Sequence, residues 1–418
     1  MLTDPEERRH QRQERAAQRQ YRQAKRRKKR AFFAVIGILL IGCGALIFCL
    51  MRETPSASTS PTESTATENS EPTLPPTTTI HYTAVGDLNI NQATVSAGGS
   101  YYHYTDTFMD VAHLLSDADI TSLNFEGNLC GEPYGSSFSA PPSMATALQK
   151  IGVDLVQMAN SYSINRGLSG LVTSIDAVRA AGMEPLGVYA SNAAFNQEKG
   201  YTIRTVNGIK MAFVAFTKGM DGMALPPGSE NCVNILYSDY DSVYQNVDRK
   251  KITSILSAVN KEKPDIVITL LHWGSEFNNT ISKSQKEIVS LMQAHGVDAI
   301  IGTHSHYVQQ MTFDENSGQF VAYSLGDFFS DGKRAGSEYS VILDLEITKD
   351  NITGQTKITG YSYTPIFSVH EPDQPLRVMR IHEAIAAYES NFINKISQQT
   401  YKDMLYALQR IEARIAGE

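Results

Sequence analysis

Two apolar, β-branched stretches of the chain each stop abruptly on histidines. The first ends in His272-Trp-Gly-Ser-Glu276 and the second in Gly302-Thr-His304-Ser-His306. Both are predicted to be buried strands whose polar ends lie at the carboxyl edge of a sheet, where α/β proteins bind ligands. In an extended segment His304 and His306 point to the same side, which is metal-ligand spacing. A single histidine here would more simply hydrogen-bond a loop, but three with a carboxylate favour a metal site.

Two carboxylates at other strand ends extend this set. Asp87 follows Gly86 at the end of an apolar run, and Glu126 closes another. A glycine lets the backbone turn so that the neighbouring carboxylate projects, although a lone Gly-Asp more often marks a turn. Mixed oxygen and nitrogen donors suit manganese, iron or zinc better than calcium. The predicted ligands of one or two such divalent ions are Asp87, Glu126, His272, His304 and His306.

Three further polar side chains are candidates for a catalytic role. Asn124 shares a strand face with Glu126, and a hydrogen bond to the backbone is its alternative role. Asn160 lies at the tip of another apolar run. Glu276 could orient a histidine or face solvent. Trp273, the one tryptophan in the chain, is assigned to the wall of the site, although packing is the commoner role of aromatic residues.

Apolar runs alternate with helical patterns from residue 80 onward, which predicts an α/β fold. The run 319–327 is predicted to be one strand that ends in a second Gly-Asp. Beyond it, two alternating segments around a turn at 351–354 predict an antiparallel pair. The tail, residues 377–416, spaces its apolar residues as a helix does. That stripe is expected to dock on the core, with partner binding as the less frequent alternative.

The N-terminal part of the chain differs sharply in composition. Residues 1–30 carry twelve Lys or Arg and four acidic residues, a net charge of +8. Because the net charge of the whole chain is −7, the remaining residues carry a net charge of −15. Residues 31–51 contain no charged side chain and as a helix would span about 30 Å, the thickness of bilayer hydrocarbon. A long basic leader favours an uncleaved anchor over a signal peptide, with its N-terminus in the cytoplasm. Nucleic-acid binding is the alternative role of that leader, but attraction to anionic lipid is expected beside a span.

These patterns divide the 418 residues into five segments. They are a basic cytoplasmic segment (1–30), a single transmembrane helix (31–51), a Ser/Thr/Pro-rich stalk (52–79), an extracytoplasmic α/β domain (80–370) and a helical tail (371–418). Cys130 and Cys232 are the cysteines outside the predicted span, and whether they form a disulfide is left open. The predicted location is the cell membrane.

The ordered motifs resemble those of the poly-gamma-glutamate capsule synthesis protein CapA family, over roughly residues 80–331. The motifs concerned are Gly86-Asp87, Asn124-Phe-Glu126, Ala159-Asn160, His272-Trp-Gly-Ser-Glu276, Gly302-Thr-His304-Ser-His306 and Tyr323-Ser-Leu-Gly-Asp327-Phe. That family is related to calcineurin-like metallophosphoesterases. The resemblance therefore implies a four-layer α/β/β/α sandwich with a metal site at its strand ends.

The chain departs from the family pattern at four positions. Where the family usually has Ala-Asn-Asn-His with an aspartate three residues later, this chain has Ser161, Tyr162 and Asn165, and the usual Ser-Leu-Gly-Asn ends in Asp327. Ser161 is at the position where the resemblance implies a metal-binding asparagine, and Tyr162 is at the position where it implies a catalytic histidine. A tyrosine, with an unperturbed pKa near 10, is poorly suited to proton transfer at neutral pH.

Three functions are compatible with the sequence. The first is a membrane-anchored, CapA-like protein in the synthesis, export or surface retention of an anionic polymer such as poly-gamma-glutamate, with other capsule-synthesis membrane proteins as candidate partners. The second is a metal-dependent, phosphoesterase-like hydrolase of the cell envelope. The third is a degenerate, non-catalytic binding domain. Ser161 and Tyr162 favour the first and third over efficient catalysis. The first is our prediction, and no nucleic-acid partner is expected.

Overall fold

Runs of β-branched and aromatic residues form fourteen strands in the part of the chain that the computed structural model describes, residues 75–391 and 396–418. The strands are β1 (Thr77–Asn89), β2 (Ile120–Glu126), β3 (Leu155–Gln157), β4 (Glu184–Leu186), β5 (Thr202–Val206), β6 (Ile209–Thr217), β7 (Ile266–His272), β8 (Ala299–Thr303), β9 (Met311–Asp314), β10 (Gln319–Ala322), β11 (Asp327–Phe329), β12 (Tyr339–Asp350), β13 (Thr356–Val369) and β14 (Arg377–Arg380).

The strands form two mixed sheets. The first has the order β14-β13-β12-β1-β2-β3-β4, with β11 also paired to β1, and the second has the order β5-β6-β7-β8-β10-β9. In the first sheet β1 to β4 run parallel to one another, and in the second β6, β7, β8 and β10 do. The carboxyl ends of these parallel strands carry most of the predicted site residues.

Ten α-helices connect the strands in the described residues. They are α1 (Gln92–Ser96), α2 (Thr105–Phe108), α3 (Ala112–Ser116), α4 (Pro142–Lys150), α5 (Gly167–Ala180), α6 (Asn192–Glu198), α7 (Arg249–Lys261), α8 (Lys283–Gln293), α9 (Ile381–Glu389) and α10 (Gln398–Ala416). A capping box fixes the start of α8, because the Ser282 hydroxyl accepts from the Gln285 backbone N–H and the Gln285 side chain accepts from the Ser282 N–H. This cap ends the loop that follows the histidine of β7.

Three apolar clusters separate four layers. Leu148 of α4 belongs to a cluster on the outer face of the first sheet. Tyr82 of β1 and Phe213 of β6 lie in a second cluster between the two sheets, with ring centroids 5.7 Å apart. Ile252 of α7 and Ile288 of α8 lie in a third, on the outer face of the second sheet. The layers are therefore helix, sheet, sheet and helix, which agrees with the burial of central strands such as β2 and β7 at every position, on both faces.

The run 319–327, predicted as one strand, is divided between the two sheets, so that prediction is wrong. Its first part is β10 in the second sheet, and its last residue begins β11 in the first. Residues 323–326 cross from one sheet to the other. A Cβ on Gly86 would lie 1.8 Å from the Gly326 carbonyl oxygen, and one on Gly302 would lie 2.0 Å from that of Tyr323. Both positions need glycine because the crossing backbone passes directly over them.

The only tryptophan of the chain fixes this crossing segment. The Trp273 indole N–H donates to the Tyr323 carbonyl oxygen at 2.9 Å, and the two rings stack with centroids 5.8 Å apart. Trp273 is fully buried in the third apolar cluster. Its assignment to the wall of the site is therefore wrong, because it packs behind the site and holds the backbone there.

The two ends of the described chain differ from prediction in detail. Strand β1 begins at Thr77, which pairs with Asp350 of β12, so the last residues of the predicted stalk belong to the sheet. The predicted basic segment (1–30) and transmembrane helix (31–51) lie outside the described residues. Within residues 75–391 and 396–418, no helix combines the length and apolar character needed to cross a bilayer.

Cys130 and Cys232 are free thiols.

The C-terminal residues pack against the sheets. The antiparallel pair predicted around the turn at 351–354 is confirmed as β12 and β13. Arg377 begins a strand, β14, rather than the predicted helix, because the segment pairs with β13. Ile381 of α9 and Ile411 of α10 join the cluster between the sheets, which confirms that the apolar stripe docks on the core. Leu405 of the same stripe is 38% exposed.

Candidate metal centre

A chain of side-chain amides orients Asp87 at the end of β1. Asp87 is opposite Asn124 of β2, whose Nδ2 donates to Asp87 Oδ1 at 2.6 Å. The Asn124 Oδ1 in turn accepts from Asn160 Nδ2 at 3.1 Å. The second carboxylate oxygen of Asp87 accepts from the backbone N–H of His304 at 2.9 Å. Asn124 and Asn160 therefore fix a carboxylate, and Asn124 bonds side chains rather than the backbone.

Glu126, His272 and His304 form what we call the inner group. One potential ligand atom from each lies within 4.8 Å of the other two, and all three side chains are buried. Glu126 Oε1 is 3.1 Å from His272 Nε2. Among the described residues, neither ring nitrogen of His304 nor Oε2 of Glu126 has a hydrogen-bond partner. Such buried atoms are costly to leave unpaired, so they point to a missing ligand.

Asp87, His306 and Asp327 form what we call the outer group. Their potential ligand atoms also lie within 4.8 Å of one another. His306 Nδ1 lies 2.8 Å from Asp327 Oδ1 and 3.9 Å from Asp87 Oδ2. The structure brings Asp327 here because β11 pairs with β1 and sets Asp327 opposite Asp87. Asp327 is absent from the predicted ligands, although its Gly-Asp repeats the Gly86-Asp87 motif and was the available signal.

The backbone between the two histidines is not extended. His304 has φ of 88° and His306 has φ of 58°, both in the left-handed region. The expectation that an extended segment turns both imidazoles to one side is therefore wrong. The two rings, with centroids 6.3 Å apart, enter different groups. Such backbone conformations cost about 1–3 kcal/mol each and are concentrated at functional sites.

The inner group is held uncharged by burial. Burial lowers the pKa of His272 and of His304 well below the ordinary histidine value, and it raises the pKa of Glu126 well above that of a free carboxyl. The two imidazoles are thus neutral, the form in which histidine binds metal. Glu126 would have to give up its proton when a cation arrives.

The outer group is held charged by its own partners. Burial by itself would lower the pKa of His306, but the neighbouring carboxylates, Asp327 first among them, raise it to about 11. Burial raises the pKa of Asp87 to about 6, although the charge of His306 opposes this. At neutral pH His306 is therefore an imidazolium paired with Asp327, and a cation would have to displace a proton.

The remaining predicted and substituted residues lie around the two groups. Ser161 Oγ is 3.2 Å from His272 Nε2, so the serine lies beside the inner group. Tyr162 stacks on Phe138 with ring centroids 4.6 Å apart, and burial raises its pKa, so the phenol stays protonated. Glu276 is exposed and makes no hydrogen bond within the described residues, since the chain turns away at Gly274 with φ of 78°.

A cleft of about 160 Å³ opens above the outer group. Its floor includes Glu126, His306 and Asp327, and Tyr162 and Phe277 are among its aromatic residues. Other residues that line it are Asn89, Ile90, Asn91, Phe138, Ser330, Asp331, Arg334 and Ser337. A ligand in this cleft would therefore lie next to both groups, since Glu126 belongs to the inner group and His306 and Asp327 belong to the outer group.

The donor set fits a divalent transition metal. Within the described residues, Glu126 Oε2 and the ring nitrogens of His304 have no hydrogen-bond partner. When Glu126 is ionised these atoms can bind a metal ion, and a carboxylate together with imidazoles suits manganese, iron or zinc. The inner group would hold one ion and the outer group could hold a second. When bound, such an ion can polarise a ligand oxygen or activate water. Asn124 and Asn160 would keep Asp87 oriented, and Ser161 would contact the His272 ring.

The order of these residues matches a known family over most of the described chain. Residues 81–332 match the model of "Bacterial capsule synthesis protein PGA_cap". This chain belongs to that family. The resemblance seen in the motifs is thereby confirmed, and the PGA_cap match spans β1 to β11 and contains both groups of candidate ligands.

Two relatives with curated names share part of the chain. "Capsule biosynthesis protein CapA" of Bacillus anthracis is 26% identical over 286 residues, which are 65% of this chain and 64% of that protein. "PGA biosynthesis protein CapA" of Bacillus subtilis (strain 168) is 23% identical over 216 residues, 51% of each chain. The matched region thus spans between about half and two thirds of the lengths of these PGA_cap relatives.

Among solved structures, the chain is similar to a calcineurin-like phosphoesterase, YfkN of Bacillus subtilis. The TM-score is 0.43 at 17% identity, with 80% of this chain and 100% of the other covered. The α/β architecture and its two mixed sheets are observed directly in this PGA_cap chain.

Proposed function

We propose that this chain is a membrane-anchored, extracytoplasmic metal-binding protein that acts in the synthesis, export or surface retention of an anionic capsule polymer such as poly-gamma-glutamate. Support comes from its membership of the PGA_cap family and from the names of its two CapA relatives. The uncharged stretch 31–51 behind a basic leader supports the anchor. Other capsule-synthesis membrane proteins are its proposed partners.

The pair of buried ligand groups is the observation that carries the metal-binding part of this proposal. The buried oxygen and nitrogen atoms of the inner group that lack a partner within the described residues destabilise a structure without a ligand, and the neutral His304 ring is in the form that binds a cation. The same atoms become favourable when a divalent cation is bound. We therefore assign the inner group to the tighter ion, and the outer group to a second, more weakly held ion.

A hydrolase of the cell envelope is the second candidate function. The observation that favours it is the open cleft that leads to the two groups, since two ions can activate water and stabilise a transition state. Tyr162 weakens this case because burial raises its pKa, so it cannot act as a base at neutral pH. A non-catalytic domain that binds polymer through metal ions is the third function, and it needs no proton transfer.

Metal content of the full chain, purified in detergent, tests the proposal. We expect elemental mass spectrometry to find near-stoichiometric manganese, iron or zinc in the wild type after incubation with each metal. The double variant His304→Ala, His306→Ala should lose it. The matched control is His382→Ala, which removes an exposed histidine of α9. A folded wild type without metal would contradict both the metal-binding proposal and the metal-dependent hydrolase.

Topology and polymer handling need separate measurements. Alkaline phosphatase fused after residue 418 should be active outside the membrane, and a fusion after residue 30 should be inactive. Deletion of the gene should remove or release surface polymer, and the wild-type gene should restore it. Loss of metal in the double variant should abolish that rescue. An active fusion at residue 30 or undiminished surface polymer would contradict the proposed location or role, respectively.

A further inference from the structure

Arg334, which forms no ion pair within the described residues, lines the cleft. Arg334 is exposed, and its guanidinium carbon lies 5.1 Å from the centre of the Phe277 ring. Phe277 stacks on His306, with centroids 4.9 Å apart and ring planes 24° apart. The guanidinium carbon is thus at most 10.0 Å from the centre of the His306 ring. Arg334, Phe277 and His306 therefore form a series of contacts that runs from the exposed guanidinium to the outer group.

The acidic neighbours of Arg334 are otherwise engaged. Asp331 forms an ion pair with Lys333 at 2.7 Å, and Asp327 accepts from His306. Within the described residues no carboxylate forms an ion pair with Arg334. The N–H edge of the guanidinium also donates no hydrogen bond within the described residues, so it is open to a ligand. That planar edge matches a carboxylate or phosphate with two parallel hydrogen bonds.

We propose that the cleft binds ligands with two anionic groups, one at the outer group and its ion and the other on Arg334. This inference rests on the proposed function, since it needs a cation in the outer group to attract the first anion. Without that ion the first anion has no free positive charge to bind: of the described residues that line the cleft, His306 and Arg334 are the cations, and His306 is already paired with Asp327. Arg334 then selects among metal-binding ligands for those that carry a second negative charge.

The spacing suits a γ-linked chain of glutamates. The α-carbons that bear neighbouring free carboxylates in such a chain are separated by five backbone bonds, roughly 6 Å when extended at standard bond lengths. This lies within the length of that series of contacts, at most 10.0 Å. One carboxylate can therefore meet the outer group while the next meets Arg334, and the chain continues along the cleft mouth into solvent.

Affinity for a defined ligand tests the role of Arg334. The full chain in detergent, loaded with manganese, is titrated with a γ-linked glutamate hexamer. We expect Arg334→Gln to weaken hexamer binding about 10- to 100-fold, because it removes a charge-assisted bidentate contact. Arg334→Lys should restore part of the affinity, since it keeps the charge without the planar edge. A hexamer with one free carboxylate and the rest methylated should bind both wild type and Arg334→Gln equally.

Two controls separate this inference from the proposed function. Lys286→Gln removes an exposed cation of α8 that does not line the cleft, and it should change hexamer affinity by no more than about twofold, since exposed charges outside the site are screened by salt. Metal content is measured for every variant and should be unchanged. A wild type without metal contradicts the proposed function. Equal hexamer affinity of wild type and Arg334→Gln, or no hexamer binding to the wild type with or without manganese, overturns the inference.

Discussion

The inner and outer groups use the same residue types and have opposite electrostatic states. In the inner group, burial removes charge and leaves both ring nitrogens of His304 without a hydrogen-bond partner in the described structure. In the outer group, Asp327 supplies a carboxylate that keeps His306 protonated. The inner group can therefore accept a cation directly, whereas the outer group already contains a positive charge, the His306 imidazolium. The difference teaches that ligand identity alone does not set affinity, because a proton competes for the same lone pairs.

The largest expected effect is the loss of the inner ion. His304→Ala should lower the affinity for that ion by more than about 100-fold, because even the loss of an indirect partner of a metal ligand typically costs 10–100-fold. His306→Ala should leave the tighter binding event in place and remove only the weaker one. Isothermal titration with manganese or zinc separates the two events. If both variants lose the same event, the two groups form one site and the comparison fails.

The second prediction concerns the charge of the outer group. Asp327→Asn should lower the pKa of His306 by about 1–3 units, the usual effect of an adjacent opposite charge. Its pKa of about 11 in the fold lies above the unfolded value of 6.5, so the stabilisation is complete below pH 6.5 and is lost as pH rises through 11. Histidine NMR titration of the metal-free protein measures the shift, and urea unfolding across that pH range measures the stability. An unchanged His306 titration would show that Asp327 is not the cause.

A third prediction restores the residue that the family usually has in the inner group. Ser161→Asn should raise the affinity for the inner ion about tenfold, because a longer amide places an oxygen donor near His272. Ser161→Ala is the matched control, and it should leave the affinity within about twofold of wild type because hydroxyl groups are weak ligands. Competition with a metal-sensitive dye measures both. Equal effects of the two variants would mean that position 161 does not face the ion.

The smallest expected effect is a count of released protons. Binding of the second ion should release about one proton from the protein, because His306 must lose its proton before its ring nitrogen can bind the ion. The dependence of the binding enthalpy on the ionisation enthalpy of the buffer gives this number. Asp327→Asn should leave it nearly unchanged at pH 7 and reduce it between about pH 8 and 10, because a lowering of 1–3 units from about 11 brings the pKa of His306 into that range. A wild type that releases no proton at the second step would place that ion elsewhere.

Local sequence pattern was sufficient to find the strand ends but not to assign them to a sheet. Asp87, Glu126 and His272 close runs of buried residues, and their convergence follows from the parallel arrangement of those runs. Asp327 was not predicted to be a ligand, because the largely apolar run before it has no charged break and therefore predicts one uninterrupted strand. Nothing in that pattern shows that its backbone leaves one sheet and joins the other. The close approach at Gly86 and Gly302 is a tertiary contact between segments far apart in sequence.

Side-chain direction was the second limit of sequence reasoning. The extended geometry expected for His304 and His306 was wrong because both residues adopt positive φ, which tertiary contacts impose and histidine propensity does not predict. Glu276, four residues beyond His272, faces solvent, which was one of the two roles that its position allowed, and its charge adds to the effect of burial in raising the pKa of Glu126 and of Tyr162. Spacing along the chain ceases to predict direction once a strand has ended.

The inner group joins the two halves of the sandwich, because Glu126 belongs to the first sheet and His272 to the second, with His304 directly after β8. An ion held there acts as a cross-link between layers that otherwise meet through apolar contacts. At a free metal concentration 100 times its dissociation constant it would add about 2.7 kcal/mol to the free energy of unfolding. The lifetime of this protein against proteolysis would then depend on the supply of metal, independently of any chemistry in the cleft.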